Sequence, residues 1–146
     1  MLLYLDLNCF NRPFDDQRQA RVAKEAAAVF RILDRVIGGR ERLAWSDVLD
    51  FENSRHPLAD RRMEIGRWAR HAAVRVKLGA QVAARAKEIE KAGFAPLDAA
   101  HLACAEIGGC KAFITCDDRL IHRASRMRLT LEVLTPVQYL ERYENG

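Results

Sequence analysis

The sequence has no long hydrophobic run, and its first residues do not predict a secretory leader. No apolar stretch approaches the roughly 20 residues that a membrane-spanning helix needs. The first ten residues, MLLYLDLNCF, lack the basic start of a signal peptide, and Asp6 interrupts their apolar stretch. We therefore expect a cytoplasmic protein without a membrane partner.

The sequence also lacks the short motifs that mark several common kinds of site. Its 4 cysteines form no CxxC pair and no Cys/His spacing typical of zinc, so we expect reduced thiols packed as small hydrophobic groups. Gly38-Gly39 is not followed by the Lys-Ser/Thr of a phosphate-binding P-loop, and neither GxGxxG nor HExxH occurs. These absences argue against P-loop nucleotidases, dinucleotide-binding enzymes and HExxH metalloproteases.

What the sequence does contain is typical of one globular domain. Its 146 residues are 49% hydrophobic and 30% charged, which allows a hydrophobic core and argues against disorder. We find no repeat or linker and predict a single domain over residues 1–146. The formal net charge is +4, and 19 of the 24 basic residues are arginine. Arginine suits phosphate binding, although a GC-rich genome explains the excess equally well.

Short apolar strands alternate with segments of helical periodicity along the chain. We predict strands over residues 2–7, 42–45, 74–78, 112–116 and 131–134, and helices over 17–37, 46–56, 59–72, 81–92, 97–107, 118–125 and 137–143. This alternation predicts an α/β fold, in which a central, mainly parallel sheet of four to five strands is flanked by helices. Ligands bind such sheets beyond the carboxyl ends of the strands. Asp6 and Asp117 both fall at that edge.

Four acidic residues occupy positions where an acid is unexpected or where a site is expected. Asp6 and Asp98 lie in the apolar segments LLYLDLNCF and FAPLDAAHLACA, without a neighbouring Lys or Arg. An unpaired buried carboxylate is costly, so each of them needs solvent, a base or a metal ion. Glu52 lies near the apolar face of its predicted helix, and Asp117 follows a strand.

Each acid also has a purely structural interpretation. Asp98 can stabilise a helix N-terminus through the helix dipole, and Glu52 can lie at a shallow helix edge. Asp117 or Asp118 can cap the helix that follows. Convergence of acids from separate elements favours a shared site instead, because packed like charges need a counter-cation. Carboxylate oxygens are the ligands that suit Mg²⁺ or Mn²⁺.

The order and spacing of these acids resemble the PIN-domain family, specifically its bacterial VapC-like toxin branch. The segments that carry the resemblance span nearly the whole chain and are LDLN at 5–8, NRPFDDQ at 11–17, Glu52, PLDAAHLA at 96–103 and TCDDRL at 115–120. The residues that the resemblance implies as catalytic metal ligands are Asp6, Glu52, Asp98 and Asp117. It further implies that Asn8 and Thr115 orient these acids and that Asp118 replaces or assists Asp117.

The resemblance implies hydrolysis of an RNA phosphodiester by water that a bound Mg²⁺ or Mn²⁺ activates. An acidic pocket repels RNA, so a basic rim is needed to contact the phosphates. The nearest candidates in the sequence, each otherwise an ordinary surface residue, are Arg12, Arg119 and Arg123. A cognate antitoxin protein and a homodimer are also implied, and apolar patches on the helices between Gln17 and Ala72 could supply the dimer interface.

Three other interpretations stay open. His56 and His101 can share helix faces with Glu52 and Asp98, as in a zinc hydrolase. A phosphotransfer domain that accepts phosphate on Asp6 would also place an acid after a strand, but Lys111 precedes its strand where such a domain wants a lysine beside the site. A catalytically silent PIN-like module that binds RNA or protein would keep the same fold, although all four family acids are present.

Overall fold

Five short strands and eight α-helices make up the fold in the computed structural model, which describes residues 1–145. The strands are β1 (Leu2–Leu5), β2 (Arg42–Ser46), β3 (Ala72–Val76), β4 (Ala112–Ile114) and β5 (Glu132–Leu134). The helices are α1 (Leu7–Asn11), α2 (Ala20–Ile37), α3 (Asp47–Ser54), α4 (Ala59–Gly66), α5 (Ala80–Lys91), α6 (Pro96–Ile107), α7 (Asp118–Ala124) and α8 (Pro136–Tyr143). Two 3₁₀ turns, Arg12–Phe14 and Arg67–His71, complete the regular structure.

The strands form one sheet in the order β3-β2-β1-β4-β5, and every neighbouring pair is parallel. All four residues of the central strand β1 are buried, because helices cover both faces of a parallel sheet and leave it no solvated side. Leu5 of β1 pairs with Ile114 of β4, so these two strands end side by side. The predicted α/β fold with a mainly parallel sheet is confirmed.

Helices α2 and α6 show two ways of covering this sheet. In α2 the buried residues recur at helical spacing, as at Val22, Ala26, Val29 and Leu33, and α8 packs against the same helix. Helix α6 begins with Pro96, which suits the first helical position, and half of its twelve residues are buried. It packs against the sheet and α5. This packing fixes the N-terminal turn of α6 near the carboxyl edge of the sheet.

Several predicted element boundaries are wrong by two or three residues: β3 spans 72–76 instead of 74–78, β4 ends at Ile114 instead of residue 116, and α2 begins at Ala20 instead of residue 17. Two further differences have a clear physical cause. The first strand stops at Leu5, because the Asp6 carboxylate accepts a hydrogen bond from the Leu7 amide at 2.8 Å and caps α1, a short helix that was not predicted. The helix predicted over 59–72 ends at Gly66, which has a low helix propensity. The chain then passes through the 3₁₀ turn into β3, because pairing with β2 from Ala72 onward requires extended backbone.

The apolar character of the interior matches the composition. All four cysteines are free and buried, as predicted. Among the residues that the structure describes, none of the helices is long and apolar enough to cross a membrane.

Candidate active site

Asp6 stands where the two central strands end, at the carboxyl edge of the sheet. Its side chain is 6% exposed, and its backbone amide donates to the Ile114 carbonyl at 2.8 Å. Three neutral donors serve its carboxylate: the Leu7 amide at 2.8 Å, the Thr115 hydroxyl at 2.8 Å and the Asn8 side-chain amide at 3.1 Å. No Lys or Arg pairs with Asp6 within residues 1–145.

Burial raises the pKa of Asp6 from its ordinary value of 3.8 to about 6. The electrostatic interaction with His101 and the Thr115 hydrogen bond lower this pKa, while the interactions with Glu52 and Asp98 raise it. The carboxylate is thus kept in a poorly solvated place together with other acids. A bound cation would offset the cost of that arrangement.

Glu52 approaches Asp6 from α3, the helix that follows β2. Ser46 caps this helix, since its hydroxyl accepts a hydrogen bond from the Leu49 amide at 3.0 Å. The Glu52 Oε1 atom lies 2.7 Å from Nε2 of His101 on α6. Glu52 remains one-third exposed, whereas His101 is almost completely buried. Glu52 therefore links the mouth of the site to its floor.

Asp98 and Asp117 lie on the other side of the cluster. Asp98 is in the first turn of α6 and is half-buried, and burial followed by the charge of Asp117 raises its pKa. Asp117 caps α7, because its carboxylate accepts from the amides of Arg119 at 3.0 Å and Leu120 at 3.3 Å. The capping role foreseen for Asp117 is therefore present, and it coexists with a place among the acids.

Asn8 and Thr115 tie the two strand ends together. Thr115 donates its hydroxyl proton to Asp6 and accepts from the Asn8 amide and from the backbone amide of Asp117, both at 3.1 Å. The Asn8 carbonyl oxygen accepts from the Cys116 amide at 3.0 Å. Both side chains are thus fixed by several hydrogen bonds, and both contact Asp6 directly. These contacts orient the Asp6 carboxylate.

Two of the residues singled out in the sequence are engaged elsewhere. Asp118 turns away from the cluster and pairs with both terminal nitrogens of Arg21 at 2.7 Å, which lowers the pKa of Asp118. Arg12 pairs with Asp15 at 3.0 Å and with the buried Glu25 at 3.0 Å. Its guanidinium is therefore committed to carboxylates of the protein itself.

The donor set at the cluster fits a divalent cation. Ligand atoms of Asp6, Glu52 and His101 all lie within 4.8 Å of one another. A cation of the Mg²⁺ type holds oxygen ligands at about 2.1 Å, which places opposite ligands about 4.2 Å apart. The observed spacing needs only a small contraction. Asp98 and Asp117 lie outside this tight group, although their charges act on each other and Asp98 acts on Asp6.

The sequence did not decide whether His101 lies in the site or in the hydrophobic core. Its place three residues after Asp98 indicated the site, because that spacing puts two side chains on one helix face. The apolar neighbours of His101 pointed equally to the core. In the structure it belongs to both, since it is buried in the core and touches Glu52.

A basic surface adjoins the acids along α7. Arg119, His122 and Arg123 of α7, together with Arg126 in the turn after it, form this basic surface. They line a cavity of about 430 Å³ with Ala92, Gly93 and Met127. No carboxylate lines this cavity, and none pairs with its three arginines in the described part of the chain. Arg123 donates to the Gly93 carbonyl, and its charge lowers the pKa of Asp98. The basic surface and the acids are therefore neighbours.

Comparison with known proteins identifies the family and the fold. No curated protein matches the sequence. Among solved structures, VapBC2 from Rickettsia felis, bound to a DNA fragment from its promoter, contains a chain with a similar fold: the TM-score is 0.60, the identity 12%, and the match covers 91% of this chain and 97% of that one. The family model of the PIN domain matches residues 3–126. This chain belongs to the PIN-domain family.

Proposed function

We propose that this protein is a ribonuclease that hydrolyses RNA phosphodiester bonds with Mg²⁺ or Mn²⁺, and that its site consists of Asp6, Glu52, Asp98 and Asp117. The observation that carries the proposal is the state of Asp6, a buried carboxylate served only by neutral donors and surrounded by other acids. Membership of the PIN-domain family adds support. A bound cation would offset the cost of such a cluster.

The residues would divide the work as follows. Asp6 and Glu52 hold the cation, while Asn8 and Thr115 keep the Asp6 carboxylate aimed at it. When bound, the cation lowers the pKa of a water molecule and neutralises charge on the phosphate. Asp98 is partly exposed and has a raised pKa, so it can exchange a proton with water at the mouth of the site.

RNA would reach the acids along α7. The three arginines of the basic surface have no carboxylate partners among the described residues, so their charges are available to phosphate oxygens, although Arg123 also donates to the Gly93 carbonyl. This path includes the predicted Arg119 and Arg123 and adds His122 and Arg126. Arg12 is the weakest of the predicted phosphate contacts, because Glu25 and Asp15 already hold its guanidinium.

Neighbouring aspartates supply a matched test of the nuclease proposal. Asp117→Asn should abolish cleavage of a labelled RNA in Mg²⁺ or Mn²⁺, whereas Asp118→Asn should retain it, because Asp118 pairs with Arg21 outside the cluster. Chelation with EDTA should stop the wild-type reaction. Binding of RNA without cation-dependent cleavage would instead support the catalytically silent module, and equal loss in both variants would restore a role for Asp118.

We further propose that a cognate antitoxin controls this activity. A free ribonuclease damages its own cell, and the fold is shared with a chain of VapBC2. The acting segment of the antitoxin would place Arg or Lys against the acidic cluster, where a basic side chain competes with the cation. Expression of the wild-type chain alone should slow growth, and Asp6→Asn should not. Equal growth of both strains, with RNA intact in both, would contradict the toxin role.

A homodimer is also proposed, through the apolar surface of the helices between residues 17 and 72. Phe30, Leu58 and Met63 are exposed there at 55%, 48% and 61%. Exposed apolar side chains of this size are typical of protein interfaces. Light scattering of the purified protein should give twice the monomer mass, and Met63→Glu should shift it toward the monomer. A monomeric wild type at micromolar concentration would contradict this assembly.

A further inference from the structure

A circuit of three hydrogen bonds, two buried and one partly buried, lies beneath the acidic cluster. The Tyr4 hydroxyl is 2.6 Å from Ser46 Oγ and 2.6 Å from His101 Nδ1, and the other nitrogen of His101 is 2.7 Å from Glu52. Ser46 and Glu52 belong to the beginning and the second turn of the same α3 region, so the chain of contacts returns to the helix where it began. Tyr4 is fully buried, as is Ser46.

The circuit connects the elements that supply Asp6, Glu52 and Asp98. Tyr4 lies in β1, two residues before Asp6, and His101 lies in α6, one turn after Asp98. Ser46 caps the helix that carries Glu52. A movement of any one of these elements therefore breaks a hydrogen bond of the circuit.

The direction of the hydrogen bonds follows from the chemistry of the groups. An ionised Glu52 only accepts, so Nε2 of His101 must carry the proton that it donates to Glu52. In a neutral imidazole Nδ1 then accepts, which requires Tyr4 to donate its hydroxyl proton to His101. Tyr4 in turn accepts from the Ser46 hydroxyl. Each group has a partner, and the series of donors runs from Ser46 through Tyr4 and His101 to the Glu52 carboxylate.

The stability of the fold does not require these buried polar groups. Buried polar groups have to be fully satisfied, and replacing them by apolar groups of equal shape is often neutral or stabilising. Tyr4 also stacks on Phe113 with ring centroids 5.2 Å apart, so a phenylalanine would keep its packing. The hydroxyl of Tyr4 and the imidazole of His101 therefore serve something other than core packing.

We propose that His101 is a positioning residue, which with Tyr4 and Ser46 holds the Glu52 carboxylate in the orientation that binds the divalent cation. The proposal rests on the proposed function of Glu52 as a ligand. Partners of this kind, which orient a ligand by a hydrogen bond, commonly change metal affinity by about 10- to 100-fold when they are removed. The geometry favours this role over direct ligation, because Nε2 of His101 is already occupied by Glu52.

Two substitutions of His101 separate the bond to Glu52 from the bond to Tyr4. The amide nitrogen of Gln reaches about as far as Nε2, whereas that of Asn reaches only about as far as Nδ1. In the absence of RNA, His101→Asn should weaken Mn²⁺ binding by about 10- to 100-fold, and His101→Gln should restore most of it. Tyr4→Phe should weaken it less, since Glu52 keeps its donor. Equal Mn²⁺ affinity in wild type and His101→Asn would overturn the proposal.

A double-mutant cycle decides whether His101 acts through Glu52. In a Glu52→Ala background, His101→Asn should change Mn²⁺ affinity no further, because the group it orients is gone. An undiminished effect there would show direct ligation or a general structural role and would overturn the proposal. Thermal unfolding of each metal-free variant identifies any that fails to fold. If the wild type itself binds no Mn²⁺, the proposed function fails, so the two failures are distinguishable.

Discussion

Buried acids occur in two different settings in this protein. Glu25 is 3% exposed and pairs with Arg12 at 3.0 Å and with Arg21 at 3.5 Å. Glu41 is 6% exposed and pairs with Arg35 at 3.2 Å. Asp6 is equally buried, but its hydrogen-bond donors are all neutral. Glu25 and Glu41 have their charge neutralised by the fold, and Asp6 does not.

This difference separates structural acids from a site. A buried ion pair is complete in itself, so removal of one partner damages the fold. A buried acid without a counter-charge raises the free energy of the folded protein. A cation that binds from solution can lower it again. Burial alone would have grouped Asp6 with Glu25 and Glu41.

The largest expected effect is on catalysis. Asp6→Asn should reduce RNA cleavage by at least about 10³-fold, because a metal ion supplies several kcal/mol of transition-state stabilisation and each 1.4 kcal/mol is about tenfold in rate. Glu25→Gln should leave cleavage within about threefold, since Glu25 lies in an internal ion pair. Rates of a fluorescent RNA reporter measure both. Similar losses in the two variants would erase the distinction between the two settings.

The next effect is on stability, and here the structural acids are the sensitive ones. Arg35→Met should lower the free energy of unfolding by about 3 kcal/mol, because it leaves Glu41 buried without its guanidinium partner. Arg142→Met is the matched control, whose exposed pair with Glu132 should be worth under about 1 kcal/mol. Urea unfolding at pH 7 gives both values. A cost below 1 kcal/mol for Arg35→Met would mean that Glu41 does not need its partner.

A smaller effect appears in the pH dependence of the metal-free protein. The folded pKa of Asp6 is about 6 against an ordinary 3.8, so the native state binds this proton more tightly than the unfolded chain does. Its contribution to stability is therefore greatest below pH 4 and is lost as pH rises through 6, by at most about 3 kcal/mol. Asp6→Asn lacks this loss, so its stability relative to wild type should increase from pH 4 to pH 7. A constant difference between the two proteins would show that Asp6 is not strained by burial.

The smallest effect concerns the basic surface of α7. Arg126→Ala should weaken RNA binding by a few-fold and reduce the slope of log affinity against log salt by about one, as expected for the loss of one phosphate contact. Arg128→Ala, two residues further and outside the cavity, should change neither. Binding is measured with the Asp117→Asn protein, so that the RNA remains intact. An identical salt slope for all three proteins would place RNA elsewhere.

The order of elements could be predicted from the sequence because helical and strand periodicities are local properties. The parallel sheet and the carboxyl-edge position of Asp6 follow from that order. Boundaries that depend on distant partners were missed: the end of the helix at Gly66 reflects pairing of Ala72 with β2, a contact across the sheet.

The site was predictable only in part, because it too depends on contacts between residues that are distant in the sequence. Acids in apolar segments are visible in the sequence, but their partners are not. Asp117 and Asp118 are adjacent, and the sequence does not show that Asp118 pairs with Arg21, 97 residues away, while Asp117 acts on Asp98. The bond between Tyr4 and His101 also spans 97 residues and is equally hidden.

Calorimetric titration of Mn²⁺ into the metal-free protein, without RNA, tests the unneutralised charge at Asp6 most directly. The wild type and Glu25→Gln should both bind Mn²⁺ saturably, and the bound cation should raise their melting temperatures because it stabilises only the native state. Asp6→Asn should bind none in the same concentration range. Absence of binding to the wild type at millimolar Mn²⁺, or equal binding to Asp6→Asn, would contradict the account.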